Sequence, residues 1–320
     1  MKLSVIIINW NTRDLLHVCL DSLTKEIRSI PHEIIVVDNA STDGSQKMVQ
    51  LDFPAATLVE NSRNMGFPRA NNQVLPLCSG EFVLLLNPDT VVRPGSITGM
   101  IGFLQGNSSY GAVGPKLSRP DGSIQNECAC SFPTLWNMFC ELTRLSALFK
   151  GSRLFGKWRL TYWDHLDARD VQCLLGAAIL TRRSLIDQIG FLDEHMYIED
   201  VDFCFRVQKA GWKIRYLPTC EIVHYDGAGR KSSRKYYHHY QIAWHGLWHF
   251  FKKHHGSLSA FAFRLMTLVC STTGVVLFSV ASFLAHFNHD AAGSMRDKAA
   301  KAKATLYWSL TPAANFEASY

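Results

Sequence analysis

Leu3-Ser4-Val5-Ile6-Ile7-Ile8 opens the chain as a short, almost wholly apolar run, and Asn9-Trp10-Asn11-Thr12 follows it directly. A run of this length that is rich in β-branched residues is typical of a buried strand. It is too short for the apolar core of a signal peptide, and no small-residue cleavage site follows it. The sequence therefore predicts a core strand whose end carries polar side chains.

Short apolar runs and helical stretches alternate from this strand to about residue 117. Such a rhythm predicts a mostly parallel sheet with helices on both faces, the Rossmann-like α/β class. The predicted strands cover 3–8, 33–37, 57–60 and 82–86, and the predicted helices cover 13–25, 45–50 and 66–78. Further along, we predict an irregular or helical insertion over 132–163, strands over 171–181, 213–217 and 221–225, and a helix over 199–210.

The composition is that of a globular protein. Of the 320 residues, 47% are hydrophobic and 19% are charged, which excludes wholesale disorder. The nine cysteines are scattered without a C-x-x-C pair, so a reducing cytosol is favoured over a disulfide framework or a zinc site. The net charge of +6 is modest and does not by itself indicate a nucleic-acid partner.

The chain changes character near its last third, so we predict an α/β domain over 1–232 and a helical region over 233–320. Residues 236–255 combine many aromatic side chains with lysines and histidines, a composition typical of an interfacial helix. Residues 265–287 form a nearly uncharged apolar stretch of membrane-spanning length, which Gly274 and His286 weaken. Two interpretations stay open: a membrane-inserted helix, or an apolar helix packed on the α/β domain or on a second subunit.

The ends of the first two predicted strands are candidate ligand-binding positions, because ligands of open α/β sheets bind beyond the carboxyl ends of the strands. The segment 9–12 is not a G-x-G-x-x-G turn, which argues against a dinucleotide held on a glycine loop. The second strand ends in Asp38, a carboxylate that could accept hydrogen bonds from a ribose or a base N–H. We assign Ser41, Thr42 and Asp43 to capping of the helix that follows.

The segment 61–72 enters a helix through Gly66 and Pro68. A helix N-terminus offers free N–H groups and a favourable dipole for anions, and Arg63 or Arg69 could add charge-assisted hydrogen bonds. The segment therefore predicts a diphosphate-binding site, with an ordinary polar loop as the alternative.

The buried run 82–86 ends abruptly in the turn Asn87-Pro88-Asp89. Mg²⁺ and Mn²⁺ prefer oxygen ligands and are typically shared between one or two carboxylates and substrate phosphates. Asp89 is therefore a candidate metal ligand, and an Asx-type turn is the alternative. His224 closes a later predicted strand and is either a metal ligand or a surface histidine.

Glu199, Asp200 and Asp202 place three carboxylates within four positions at a predicted helix start. They could serve the helix dipole. Three neighbouring carboxylates also repel one another unless cations or shifted pKa values offset the repulsion, which favours a chemical role such as a general base.

Taken together, these segments resemble glycosyltransferase family 2, in particular its bacterial rhamnosyltransferase-like branch. The resemblance covers roughly residues 2–255, and its parts occur in the family's order at the predicted strand ends. The motifs that carry it are Ser4-Val5-Ile6-Ile7-Ile8-Asn9-Trp10-Asn11, Val36-Val37-Asp38-Asn39-Ala40-Ser41-Thr42-Asp43-Gly44, Asn64-Met65-Gly66-Phe67 with Ala70 and Asn72, Leu86-Asn87-Pro88-Asp89, and Glu199-Asp200-Val201-Asp202.

The resemblance implies a glycosyltransferase A fold and an inverting single displacement. It implies that Asp200 is the general base with Glu199 and Asp202 as acidic neighbours, that Asp89 and His224 bind Mg²⁺ or Mn²⁺, and that Gly176 lies on the acceptor side. The donor-binding residues that it implies are Asn9, Trp10, Asn11, Asp38, Asn64, Arg69, Asn72 and Asn87. One position departs from the family: Asn87 replaces the first carboxylate of the common Asp-x-Asp motif, which puts its contact with the metal in doubt.

The resemblance also implies a catalytic domain over 1–232, with a nucleotide-binding half at about 1–117 and an acceptor half at about 118–232. The expected partners are a nucleotide-diphosphate sugar, with dTDP-rhamnose as the lead donor, and a glycan or glycolipid acceptor, but no nucleic acid. We expect a protein on the cytoplasmic side of the inner membrane, peripheral or with one C-terminal membrane segment, and a homo-oligomer stays open. The alternatives are a sugar-nucleotide-binding protein without transferase activity and a nucleotidyltransferase.

Overall fold

Strand β1, Leu3–Asn9, is buried along its whole length and pairs in parallel with one strand on each side. The computed structural model describes residues 2–195, 197–226, 233–284 and 289–312. The strands are β1 Leu3–Asn9, β2 His32–Asp38, β3 Thr57–Glu60, β4 Phe82–Leu86, β5 Thr90–Val92, β6 Tyr110–Ser118, β7 Ala129–Cys130, β8 Arg169–Asp170, β9 Cys173–Leu174, β10 Ala178–Arg182 and β11 Lys213–His224. The helices are α1 Arg13–Glu26, α2 Ser45–Asp52, α3 Phe67–Val74, α4 Ser96–Gly106, α5 Leu135–Leu142, α6 Leu145–Leu148, α7 Arg183–Ile189, α8 Glu199–Lys209, α9 Ser233–Leu284 and α10 His289–Leu310.

The main sheet runs in the order β3-β2-β1-β4-β10-β6-β11-β5, with β8 paired to β11. Its first four strands are parallel, as the alternating sequence predicts. The second half is mixed, because β10 runs antiparallel to both β4 and β6 while β11 runs parallel to β6. The expected glycosyltransferase A fold is confirmed, although the sheet is mixed and not mostly parallel as expected.

The predicted strand 171–181 is two strands in the structure, β9 and β10, with an interruption at Gly176. The ladder breaks there because the Gly176 N–H donates to a side chain, at 2.9 Å from Asp200 Oδ2. The predicted strands 213–217 and 221–225 are a single strand, β11, whose register against β6 shifts between Leu217 and Glu221.

The chain divides into two compact units. The first, here called the α/β unit, comprises residues 1–132, 163–194 and 199–229, and the second, the helical unit, comprises 133–162, 195–198 and 230–320. The helical unit therefore includes the insertion that the predicted boundary at 232 assigned to the catalytic domain. Met138 and Trp158 of the insertion explain this, since they join the apolar core described next.

The core of the helical unit is built from aromatic and aliphatic side chains of α5, α9 and α10. The buried members are Met138, Trp244, Leu247, Phe251, Ala260, Phe263 and Trp308. Helix α9 contains a kink at Gly256, whose φ of 84° is a left-handed conformation that side chains other than glycine rarely adopt. The predicted insertion 132–163 contains two short helices, α5 and α6.

Candidate active site

The carboxyl ends of β1, β2 and β4 meet at one edge of the α/β unit. Asn9 is the register partner of Asp38, and Ile7 is the partner of Leu86 on the other side of β1. The polar residues that follow these strands therefore lie along the same edge.

Asp38 is fully buried and holds the first of these loops in place. Its Oδ2 accepts from Asn9 Nδ2 at 2.8 Å, and its Oδ1 accepts from the Ser41 N–H at 2.8 Å and from Gln46 Nε2 at 2.7 Å. A carboxylate has about four acceptor positions, so little capacity is left for a ligand. Asp38 and Asn9 thus shape the predicted donor-binding loop from within it, and a direct contact with the donor stays a prediction.

Asn11 and Ser41 connect the ends of β1 and β2. The Ser41 hydroxyl accepts from Asn9 Nδ2 at 3.1 Å and from the Asn11 N–H at 2.9 Å, so its assignment to helix capping was wrong. Asn11 has a left-handed φ of 53°, and its side-chain oxygen accepts from the Thr42 N–H at 2.8 Å. Trp10 lies between the two asparagines with 45% of its surface exposed, and donor binding by Trp10 stays a prediction.

The segment before and within α3 contributes a second group at this edge. Asn64 is exposed, and its side-chain oxygen accepts from the Gly66 N–H at 2.9 Å in an Asx-type turn. Asn72 is used internally, because its Nδ2 donates to the Leu192 carbonyl at 2.9 Å and to Glu194 at 3.1 Å. Arg69 Nε lies 3.4 Å from Glu194 Oε2. Of the predicted donor-binding residues here, Asn72 thus orients the segment around Glu194, and donor binding by Asn64 and Arg69 stays a prediction.

The turn after β4 brings Asn87, Asp89 and His224 together, as predicted. His224 Nε2 lies 3.3 Å from Asp89 Oδ1 and 3.5 Å from Asn87 Nδ2. His224 is buried, so it is not a surface histidine. The pairing of β5 with β11, in which Thr90 is the register partner of His224, positions the two segments.

Gln125 contacts the ring of His224. Its amide oxygen lies 2.8 Å from His224 Nδ1, and because an amide oxygen accepts hydrogen bonds, this contact favours the tautomer with the hydrogen on Nδ1. In the neutral ring, the lone pair is then on Nε2, which faces the Asp89 carboxylate. Two acceptor atoms at this separation require a cation or a second ring proton between them.

The Asp89 and His224 pair therefore fits a divalent cation. A carboxylate with an imidazole suits Mn²⁺ better than Mg²⁺, which prefers oxygen ligands alone. Among the residues that the structure describes, no group of three or more His, Cys, Asp or Glu side chains could hold a metal by itself. Metal binding by Asp89 and His224 therefore stays a prediction.

Asp200 lies at the start of α8 and is tied to the same turn through the backbone. Its Oδ2 accepts from the Gly176 N–H at 2.9 Å and its Oδ1 from the Val201 N–H at 2.8 Å. The next residue, Ala177, accepts from the Asn87 N–H at 2.9 Å. Two hydrogen bonds and the peptide bond between Gly176 and Ala177 thus connect the predicted base, Asp200, with the turn Asn87-Pro88-Asp89 that is predicted to bind the metal. A Cβ on Gly176 would lie 3.4 Å from Asp200 Cβ, which is van der Waals contact, so a Cβ alone would fit and only a larger side chain would press on Asp200.

The three carboxylates of α8 have different environments. Burial raises the pKa of Asp200, although the backbone N–H groups of Gly176, Val201 and Asp200 oppose the shift. Burial and the Asp200 charge raise the pKa of Glu199 well above its usual range, so Glu199 takes up a proton more readily. Asp202 is fully buried, and its Oδ2 accepts from Arg206 Nε at 2.7 Å. Arg206 also donates to the carbonyls of residues 189 and 190 at 2.9 Å, which makes Asp202 a structural residue.

Reasoning from the sequence missed four residues of this site. Gln125, Gln46, Glu194 and the Ser41 hydroxyl all orient predicted site residues. Glutamine, serine and glutamate in polar loops carry no spacing signal. Only the fold brings Gln125 to His224, across 99 positions of sequence.

Comparison with known proteins agrees with this arrangement. The sequence model of glycosyl transferase family 2 matches residues 4–157, and that of glycosyl transferase family group 2 matches residues 82–293. An N-acetylglucosaminyl-diphospho-decaprenol L-rhamnosyltransferase of Mycobacterium tuberculosis is 29% identical over 219 residues, which is 61% of this chain and 67% of that protein. A poly(ribitol-phosphate) beta-glucosyltransferase of Bacillus spizizenii is 30% identical over 230 residues, 68% of this chain but only 34% of that protein.

Among solved structures, a mannosyltransferase of Pyrobaculum calidifontis in complex with GDP-Man and Mn²⁺ has a similar fold. Its TM-score is 0.59 at 17% sequence identity, and the similarity covers 97% of this chain and 88% of that one. At this level of identity, the similarity concerns the glycosyltransferase A fold alone. Because the family group 2 model spans well over half of the sequence, the chain belongs to glycosyltransferase family 2.

Proposed function

We propose that the protein is an inverting, metal-dependent glycosyltransferase that transfers a hexose from a nucleoside-diphosphate sugar to a lipid-linked glycan during cell-surface polysaccharide synthesis. The bonded path from Asp200 through Gly176 and Ala177 to the Asn87 turn supports this proposal best. It connects a candidate base with a raised pKa to a carboxylate and imidazole pair at one edge of the sheet.

Asp200 is the proposed general base. The acceptor hydroxyl oxygen forms a bond to the anomeric carbon, the bond from that carbon to the donor phosphate breaks, and the hydroxyl proton passes to Asp200. A raised pKa makes an ionised carboxylate a stronger base than an ordinary aspartate. The N–H groups of Gly176 and Val201 hold both of its oxygens in position.

Asp89 and His224 would hold the divalent cation, with Gln125 orienting the imidazole. When bound, the cation offsets the negative charge that develops on the departing nucleoside diphosphate. The donor diphosphate and water complete its ligands in this proposal. The Mn²⁺ in the P. calidifontis mannosyltransferase structure is consistent with a cation at this fold's active site.

Rhamnose from dTDP-rhamnose is the lead donor, and a polyprenyl-linked saccharide is the lead acceptor. The rhamnosyltransferase of M. tuberculosis, whose name specifies a diphospho-decaprenol acceptor, supports both choices. The direct test is a thermal-shift screen of nucleotide sugars with and without Mn²⁺, since a tightly bound donor stabilises the folded state. Stabilisation by one donor only with Mn²⁺ is the expected result. If no nucleotide sugar stabilises the protein and none is hydrolysed or transferred, the chain is a module without transferase activity.

We further propose that the helical unit associates with the cytoplasmic side of the inner membrane. Among the described residues, one helical segment, Gln241–Leu284, is long and apolar enough to cross a membrane, and its most apolar window is only 11% buried. The side chains of Leu258, Phe261 and Phe283 are 81%, 65% and 80% exposed. Fractionation of the full-length protein at low salt without detergent tests this, and recovery in the soluble fraction would contradict it.

A further inference from the structure

The helical unit contains a cavity of about 580 Å³, and neither the proposed base nor the proposed metal ligands line it. Four segments of this unit do: the insertion 133–162, Ile198, helix α9 and helix α10. Its volume lies in the range of small-molecule binding sites. One part of the lining is apolar and consists of Met138, Leu142, Trp158, Leu247 and Phe278.

The other part of the lining carries an excess of positive charge. The cations are Arg144, Lys150, Arg159, Lys298 and Lys301. Glu141 is the single acidic residue among the lining residues. One of its oxygens is paired, because Oε2 lies 3.1 Å from Arg159 Nε, while its buried Oε1 has no hydrogen-bond partner among the described residues. Lys301 is paired with Asp297 at 2.8 Å.

The remaining cations, Arg144, Lys150 and Lys298, form no ion pair with a carboxylate among the described residues. They come from two different chain segments, so they are not simply one charged face of a single helix. Like charges that line one cavity repel one another, and an anion bound there would remove the repulsion. The charge pattern therefore points to an anionic ligand.

The cavity also borders the apolar surface of α9. Gly274 and Phe278 contribute to its lining, while Val276, Leu277 and Val280 in the same turns are 58%, 60% and 53% exposed. Free phosphate or a soluble sugar phosphate would make no use of this surface. A ligand with both an anionic group and an apolar chain uses both parts.

We propose that this cavity binds the phosphate group of a lipid, with Arg144, Lys150 and Lys298 as the anion-binding side chains. The apolar wall contacts the first part of the lipid chain. Two sources share this chemistry, an isoprenoid phosphate of the acceptor and a phospholipid of the bilayer. The inference rests on the proposed function only where the lipid is taken to be the acceptor.

The test is isothermal titration calorimetry of the full-length protein in detergent with farnesyl phosphate, farnesol and dihexanoylphosphatidylglycerol. We expect wild-type protein to bind farnesyl phosphate at least about tenfold more tightly than farnesol, because charge-assisted hydrogen bonds to phosphate are strong. The double variant Arg144→Gln/Lys298→Gln should lose about tenfold or more in that affinity. The matched control Lys157→Gln/Lys303→Gln removes the same charge from exposed positions of the helical unit outside the lining and should stay within about twofold of wild type.

The outcomes separate the possibilities. Charge-dependent binding of farnesyl phosphate alone supports the site and identifies the isoprenoid source, and equal binding of the phosphatidylglycerol identifies the bilayer source. Equal affinity for farnesol and farnesyl phosphate, or an equal loss in the control variant, overturns the inference. Thermal shift with a nucleotide sugar and Mn²⁺ is measured on the same variants. Intact donor stabilisation without lipid-phosphate binding refutes the cavity inference alone, whereas lipid binding without any sugar transfer refutes the proposed function alone.

Discussion

Replacement of Asp200 by asparagine removes the proposed base while keeping the shape of the side chain. General-base catalysis contributes about 10²–10⁴-fold to rate, so we expect kcat to fall by at least about 10²-fold. The donor should bind as in wild type, because the Asp200 oxygens accept from the Gly176 and Val201 N–H groups in the protein. An asparagine turns its NH₂ towards one of these donors and loses that hydrogen bond, at a cost of about 1–3 kcal/mol. Removal of a buried charge offsets part of this cost.

The assay combines single-turnover sugar transfer with donor affinity by calorimetry in the presence of Mn²⁺. Asp202→Asn is the matched control, since it makes the same change two positions along α8. That variant breaks the buried pair with Arg206, so it should lose about 3–5 kcal/mol of stability and keep its rate while folded. The reasoning about the base is refuted if Asp200→Asn transfers sugar within about fivefold of the wild-type rate with unchanged donor affinity.

Three further results follow from the same geometry. The pKa of Glu199 is raised in the folded protein, so the stability that its protonated side chain contributes is present below about pH 4.5 and is lost as pH rises through the raised pKa. The Glu199→Gln variant should therefore have a higher Tm than wild type at pH 7 and the same Tm near pH 4. A lower Tm of the variant at pH 7 would contradict this. Gln125→Leu removes the acceptor for His224 Nδ1–H and should weaken Mn²⁺-dependent donor binding about 10–100-fold. Gln125→Glu keeps an acceptor and should weaken donor binding less. Equal donor affinities of the two variants would be evidence against the role of Gln125 in selecting the His224 tautomer. Gly176→Val adds atoms against Asp200 and should lower kcat/KM for the acceptor about tenfold or more, with donor affinity unchanged. If the variant loses donor affinity instead, Gly176 lies on the donor side.

The fold of the first half could be predicted because local sequence and tertiary environment agree there. The run 3–8 is apolar throughout, and β1 is buried between two parallel neighbours, so no residue needs to face water. The strand ends were equally clear, because polar side chains such as those of Asp38 and Asn87 follow the buried runs directly. These positions placed the candidate site at the edge of the sheet where β1, β2 and β4 end.

The remaining features depend on contacts that the sequence pattern does not encode. The strand predicted over 171–181 is interrupted because Gly176 donates to a side chain 24 positions away. The insertion 133–162 reads as irregular because its aromatic residues follow no period, yet Met138 and Trp158 pack with the C-terminal helices. The residue types predicted the chemistry of the candidate site from the sequence. The hydrogen-bond partners of these residues could be found only in the folded structure.

The asparagine at position 87 changes how the metal turn must work. A carboxylate there would add a second negative charge next to Asp89. With the neutral amide of Asn87 3.5 Å from His224 Nε2, the turn keeps a single carboxylate, and His224 becomes the second ligand that the proposed cation requires. The imidazole can serve only if its lone pair faces Asp89, an orientation that the contact of Gln125 with Nδ1 favours. The neutral amide of Asn87 and the contact between Gln125 and His224 are therefore parts of one proposed arrangement, which we expect to bind Mn²⁺ in preference to Mg²⁺.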